Sequence, residues 1–399
     1  MAPGKFRGLC PFYVGHLSAF GPFCNAYNYK PEYMHYARLT GAILLLLLSA
    51  CRSTPSRQAA LPTARNVILM IGDGMGTSQI TAAMLTKGSP LAIEQFPVAG
   101  IQKPHAADEL ITDSAASATA FATGNKTVKG AIGVNARGEP LRNIIEEAEK
   151  QGYATGLVTT ATVVHATPAA FFAHVPLRNQ YEEIAQQLAG SGLDFFIGGG
   201  QQYFTKPSPN GKKSVYEQLL QQGYEIESYQ NKLLSQLQPP PGTPFGYFTA
   251  EDQPEKASEG RTYLPDASRM AARFLQQSST EGFFLMIEGA QIDWAGHDND
   301  QDYLISEMLD FDRAVAAVLQ FAERNQETLV IVTSDHETGG YSIQPGSSQD
   351  SLVAGFSTNY HTGTLLPVFA FGPGAAHFRG FYDNTDIYHR MRRALNWQE

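Results

Sequence analysis

One serine in this sequence stands directly after an aspartate, at the head of a run of small residues: Thr112-Asp113-Ser114-Ala115-Ala116-Ser117-Ala118-Thr119. Small side chains let a backbone turn tightly into a helix and let a bulky anion approach it. The first N–H groups of that helix would face the anion unpaired. Taken alone, an Asp-Ser pair before Ala and Thr reads as a plain helix cap. Asp293 and His297 put two metal-competent side chains one helical turn apart, although a surface pair is the usual meaning of that spacing. Asp335 and His336 follow an apolar run. Neighbouring side chains diverge on a regular strand, but a turn just after it would let both converge. His361, in Asn359-Tyr360-His361-Thr362-Gly363, reads by itself as an ordinary loop histidine. Glu288, at the end of another apolar run, needs a partner if buried, and a cation would serve. Arg178 lies beyond residues 166–175. There Pro168 suits the first turn of a helix, with Thr167 as its N-cap. The Arg178 fork could grip a phosphate with two parallel hydrogen bonds, whereas His174 reads as structural.

Strands and helices must alternate to position these groups. Residues 66–71 form a continuous apolar run, as a buried parallel strand requires, and Gly72-Asp73-Gly74-Met75-Gly76 follows it. Similar runs fall at 154–159, 194–198, 283–287, 329–333 and 366–371. Helical periodicity falls at 77–85, 141–150, 181–188, 266–276, 303–323 and 385–395. The expected fold is α/β: a largely parallel central sheet with helices on both faces. Its site lies at the C-terminal ends of the strands, where Asp73, Glu288 and Asp335-His336 stand. Residues 235–264, with Pro239-Pro240-Pro241-Gly242 and no clear period, read as a long loop at the site rim or a surface excursion.

The chain has 399 residues and a formal charge of −9, which argues against a nucleic-acid-binding surface. Anionic substrates remain open to it, because bound cations can reverse the local field. Residues 1–33 lack periodicity and read as a mis-assigned N-terminal extension ahead of a true start at Met34. Residues 34–50 read as a signal peptide, basic and then apolar, with an apolar stretch too short to span a bilayer. It ends in Leu48-Ser49-Ala50-Cys51, which resembles a bacterial lipobox. Cleavage before Cys51 would leave a lipid-bearing N-terminus, a flexible tether over 51–65 and a catalytic domain over 66–399. Of Cys10, Cys24 and Cys51, only the last would survive, leaving no disulfide. The expected place is the cell envelope, as a lipoprotein facing the periplasm and held in the membrane through Cys51. Arg52, where an acidic residue would favour the inner membrane, tips the expectation toward the outer one.

Taken in order, these motifs together resemble the alkaline phosphatase family. They run from Ile71–Gly76 through 112–119, 166–175 with Arg178, Glu288-Gly289-Ala290, Asp293 to His297 and 333–336 to 360–363. The resemblance covers about 66–397. It implies hydrolysis of phosphate monoesters to alcohol and inorganic phosphate through a phosphoserine intermediate, with two zinc ions and one magnesium. Asp293, His297 and His361 correspond to the ligands of the first zinc. Asp73, Asp335 and His336 correspond to those of the second, which also faces Ser114. Asp73 would reach the magnesium as well, with Thr167 and Glu288. Ser114 corresponds to the nucleophile and Arg178 to the phosphate-binding arginine. Asp113 would orient Arg178 or its loop. His165 stands where some members have an aspartate near the magnesium, and Trp294 where some have a lysine or histidine near the phosphate. Both put the third metal's identity in question rather than the reaction. A homodimer is among the assemblies open to the chain.

Other readings fit less well. A sulfatase needs a modified Cys or Ser in a Cys/Ser-x-Pro-x-Arg pattern, which the residues after Ser114 lack. Phosphodiesterases of the superfamily often carry threonine as nucleophile and lack the arginine. A non-catalytic phosphate- or metal-binding lipoprotein would not need the complete set. No Gly-x-Ser-x-Gly elbow marks a serine hydrolase.

Overall fold

A computed structural model describes residues 62–207, 213–348 and 351–397. The extension, the signal peptide, Cys51 and residues 52–61 of the tether lie outside the described residues. Strand β1 (Asn66–Gly72) is buried along its whole length. Its side chains explain why. Val67, Leu69 and Ile71 point into one hydrophobic layer and Ile68 and Met70 into another, the period of two that a strand imposes. A strand apolar on both faces must be covered on both.

The remaining strands are β2 (Val98–Lys103), β3 (Ala154–Thr162), β4 (Phe195–Gly199), β5 (Glu225–Ser228), β6 (Phe245–Phe248), β7 (Phe283–Gly289), β8 (Thr328–Thr333), β9 (Glu337–Thr338), β10 (Ser342–Ile343), β11 (Ala354–Gly355), β12 (His361–Thr362), β13 (Leu366–Phe371) and β14 (Gly380–Asp383). Ten of them form one sheet in the order β14-β2-β13-β8-β1-β7-β3-β4-β6-β5. Within it β13 runs antiparallel to both β8 and β2, and the other pairings are parallel. Helices Ser114–Thr123, Ile144–Lys150, Tyr181–Leu188 and Thr385–Ala394 pack on one face. Thr77–Lys87, Leu264–Ser278 and Gln301–Asn325 pack on the other. This is the expected layered α/β architecture.

Two expectations need correction. Residues 235–264 are not one long loop, because Phe245–Phe248 inserts between β4 and β5 with all four residues buried. Four residues are too few to show a period, so the prolines around them dominated the sequence signal. The helix expected from 141 starts at Ile144, because the Asn143 side chain accepts from the Glu146 N–H and ends the extended chain there. Among the described residues, no helix is long and apolar enough to cross a membrane.

Candidate active site

The parallel strands β1, β3, β7 and β8 end on one edge of the sheet, and the chemistry is gathered there. Asp73 follows β1, Glu288 sits within β7 opposite Ile71 and Thr159, and Asp335 and His336 follow β8 in a turn. Asp293 and His297 face the same edge from the Gln291–Asp298 helix, which leaves β7 almost at once. His361 arrives on the short strand β12, paired to β9.

Ser114 opens its helix. Asp113 caps it, accepting from the Ala116 N–H at 3.1 Å. The cap and the nucleophile candidate are therefore one device. Asp113 also accepts from the Gly130 N–H at 3.2 Å and from Arg178 Nη1 at 3.0 Å, so it orients the guanidinium beside the helix N-terminus. Ser114 Oγ lies 3.2 Å from His336 Nε2.

The acids and histidines form three overlapping clusters in which one ligand atom from each residue lies within 4.8 Å of the others: Asp293, His297 and His361; Asp73, Asp293 and His336; Asp73, His165 and Glu288. In the first, His361 Nε2 is 3.2 Å from His297 Nε2 and 3.5 Å from Asp293 Oδ1. The far nitrogen of each ring meets a backbone carbonyl, Thr112 for His361 at 2.8 Å and Asn359 for His297 at 2.7 Å. Each Nδ1–H is spent on that carbonyl and each Nε2 lone pair is left facing inward, the arrangement a metal-binding histidine adopts. In the second, His336 Nε2 faces Asp335 Oδ2 at 3.1 Å as well as Asp73 Oδ1 at 3.5 Å. In the third, Thr159 Oγ1 donates to Glu288, and Thr167 Oγ1 lies 3.5 Å from Asp73 Oδ2.

Burial without a cation is costly here. Asp73 and Asp335 are pushed up from the usual carboxylate range, first by burial; at Asp73 the neighbouring acids add to it. Glu288 is pushed up to about 7, chiefly by burial. His336 is pushed well down by burial and then by His361, and His165 falls to about 3 through burial and Arg178. Asp73 Oδ1, Asp335 Oδ2, Glu288 Oε1 and His165 Nδ1 are buried with no hydrogen-bond partner. Clustered carboxylates with bare oxygens beside neutral imidazoles are the donor set for divalent cations.

All the sequence-derived ligand candidates thus converge on one place. Thr167 does so differently from expected. His165 is the N-cap of the Ala166–Ala169 turn and Thr167 lies inside it, so its hydroxyl is directed at Asp73 rather than spent on capping. His165 comes closer than expected, among the ligand atoms of the third cluster. Trp294 packs edge-on against His165 with ring centroids 6.0 Å apart. His174 bonds Gly133 O and Glu146 and is structural. The sequence reading missed Thr338, whose hydroxyl donates to Asp293 Oδ1 at 2.5 Å. The strand-like i, i+2 spacing from His336 could have pointed to it.

The sequence profile described as alkaline phosphatase matches residues 64–354. Alkaline phosphatase 4 of Bacillus subtilis is 33% identical over 81% of this chain and 87% of its own length. The streptomycin-6-phosphate phosphatase of Streptomyces griseus is 33% identical over 90% of this chain and 96% of its own. Among solved structures, the alkaline phosphatase of the Antarctic bacterium TAB5 has 40% identity and a TM-score of 0.80, covering 85% of this chain and 100% of that one. A variant of that enzyme with one histidine changed to aspartate has magnesium bound in its M3 site.

Proposed function

Since this chain belongs to the alkaline phosphatase family of metal-dependent phosphomonoesterases, we propose that it cleaves phosphate monoesters through a phosphoserine on Ser114, with two zinc ions and one magnesium bound beside it. The observation carrying this reading is the meeting of Ser114 Oγ, His336 Nε2, Asp73 and Asp335 at one buried point, with Arg178 held alongside.

Asp293, His297 and His361 would hold the first zinc, and Asp73, Asp335 and His336 the second. Asp73, Glu288 and Thr167 would hold the magnesium. When bound, the ions would supply Lewis acidity to the oxygens around phosphorus. His165 gives the third position a nitrogen donor beside Asp73 and Glu288, a donor that suits zinc better than magnesium, so the metal content measured below decides which ion stands there.

Ser114 Oγ gives up its proton and forms a bond to phosphorus in line with the departing alcohol oxygen, whose bond to phosphorus breaks and which takes up a proton to leave as the alcohol. Arg178 and the free N–H groups at the helix N-terminus hold the equatorial oxygens as charge spreads over them. Asp113 keeps the Arg178 fork aimed. Water then cleaves the Ser114–phosphorus bond, and phosphate leaves. Trp294, packed edge-on against His165, would stand near the phosphate, the place the family resemblance gives it.

The test measures phosphate release from an aryl monoester, with and without chelator, in wild type and Ser114→Ala, with metal content in parallel. Chelation and Ser114→Ala should each remove most activity, and wild type should hold about two zinc ions per chain. Acid quenching of wild type on a labelled monoester should leave label on Ser114. Full turnover by Ser114→Ala would remove the covalent step, and equal turnover of diesters would move the enzyme to the phosphodiesterase class.

The division of the precursor into 1–33, 34–50, 51–65 and 66–399, with a lipidated Cys51, is part of the same proposal. It rests on the lipobox-like Leu48-Ser49-Ala50-Cys51. Mass spectrometry of the mature N-terminus should find acylated Cys51. An unmodified chain retaining residues 1–50 would refute it.

A further inference from the structure

Thr338 is fully buried and touches candidate ligands assigned above to both zinc ions. It lies on β9, opposite His361 on β12. Its backbone N–H reaches Gly74 O, next to Asp73, at 3.2 Å. Its carbonyl accepts from Gln79 Nε2 at 2.9 Å. Its Oγ1 contacts Asp293 Oδ1 at 2.5 Å and His336 Nδ1 at 3.2 Å. Asp293 lies within ligand distance of both the His297–His361 pair and His336; in the assignment above it serves the first zinc and His336 the second, so one hydroxyl joins a ligand of each.

The direction of these bonds follows from a proton count. A hydroxyl has one proton to give and lone pairs to accept with, while an ionised carboxylate can only accept. The Thr338 proton therefore goes to Asp293. The contact with His336 then requires the proton on Nδ1, leaving a bare lone pair on Nε2. That is the nitrogen facing Ser114, Asp73 and Asp335. His297 and His361 have their tautomers fixed by backbone carbonyls. Among the described residues, His336 Nδ1 meets the Thr338 hydroxyl in place of a backbone carbonyl.

We propose that Thr338 is a positioning residue that couples the two zinc sites: its single hydroxyl orients Asp293 in one and selects the metal-binding tautomer of His336 in the other. This rests on the two-zinc reading above. Partners of metal-ligating groups typically change metal affinity by about 10- to 100-fold. Unlike most such partners, Thr338 should affect both ions at once.

Thr338→Val keeps the shape and removes the hydroxyl, while Thr338→Ser keeps the hydroxyl and removes the methyl. The measurement is zinc transfer from the folded holoenzyme to a chromogenic chelator, with zinc content after dialysis as a second readout. Thr338→Val should release both ions about 10-fold faster or more, and Thr338→Ser should stay near wild type. A residue that merely fills space would give the opposite order, with valine near wild type and serine impaired. Wild-type holding two zinc ions while Thr338→Val retains both normally, or loses only one faster, overturns the coupling alone. A wild type that takes up no zinc overturns the two-zinc reading and this inference with it.

Discussion

Arg178 and Asp113 divide their work in a way that substitutions can separate. Asp113 accepts from the helix and from Gly130 as well as from the guanidinium. Hydrogen bonds to charged groups contribute about 1.5–3 kcal/mol. Arg178→Ala should therefore weaken inhibition by inorganic phosphate by about 10- to 100-fold. Arg178→Lys should recover only part of this, because an ammonium lacks the planar fork. Asn caps a helix as well as Asp does. Asp113→Asn should therefore leave the thermal midpoint close to wild type while still weakening phosphate binding. Asp113→Ala should lose about 1 kcal/mol of stability in addition. Equal stability losses in the two Asp113 variants would show that the cap does not matter. Paired melting curves and phosphate inhibition constants check both statements.

At the scale of elements, the site depends on how closely the turn after β1 approaches the Gln291–Asp298 helix. Gly74 makes that approach at φ +76°, and a Cβ there would lie 2.6 Å from Asp293 Cα and 2.9 Å from Thr338 Oγ1. The left-handed backbone alone costs a non-glycine residue about 1–2 kcal/mol. Gly74→Ala should lower the melting temperature and accelerate zinc loss, because Asp73 and Asp293 can no longer keep their separation. Normal zinc retention in that variant would mean the turn is free to move. The β9–β12 pair is braced in the same region by the buried carboxylate of Glu337. It accepts from Gln79 Nε2 at 2.6 Å, from the Tyr341 N–H at 3.0 Å and from Thr362 Oγ1. Three donors satisfy its lone pairs and fix the strand that carries His361.

Over the whole molecule, the site edge concentrates buried charge, and the opposite edge of the sheet has a charge problem of its own. Glu149, beyond the start of β3, is pushed up to about 7 by burial, against the Thr155 hydroxyl that lowers it and with Asp194 that raises it. Folding therefore favours its protonated form. The stability it contributes is complete below about pH 4.5 and is lost as pH rises through about 7. Glu149→Gln keeps a neutral acceptor for Thr155 and removes the charge. It should melt higher than wild type near pH 8, by about 1 kcal/mol or less after solvent screening, and the gap should close toward pH 5. A gap independent of pH would assign the effect to packing. A second buried network, Arg261 with Glu307 and Asp310, fastens the segment before the Leu264–Ser278 helix to the long Gln301–Asn325 helix. The alternation of strands and helices, the strand-end placement of Asp73, Glu288 and Asp335-His336, and the order of motifs that marks the family can all be read along the chain. These are local: an apolar run with its polar terminus is written in consecutive residues. That Thr167 turns to Asp73 instead of capping, that His165 joins a ligand cluster, that Phe245–Phe248 enters the sheet and that Thr338 spans Asp293 and His336 emerges only once the chain is folded. Each of these depends on contacts between segments far apart in the chain, where proton direction and spare lone pairs are set by which groups the folded backbone brings within hydrogen-bonding distance.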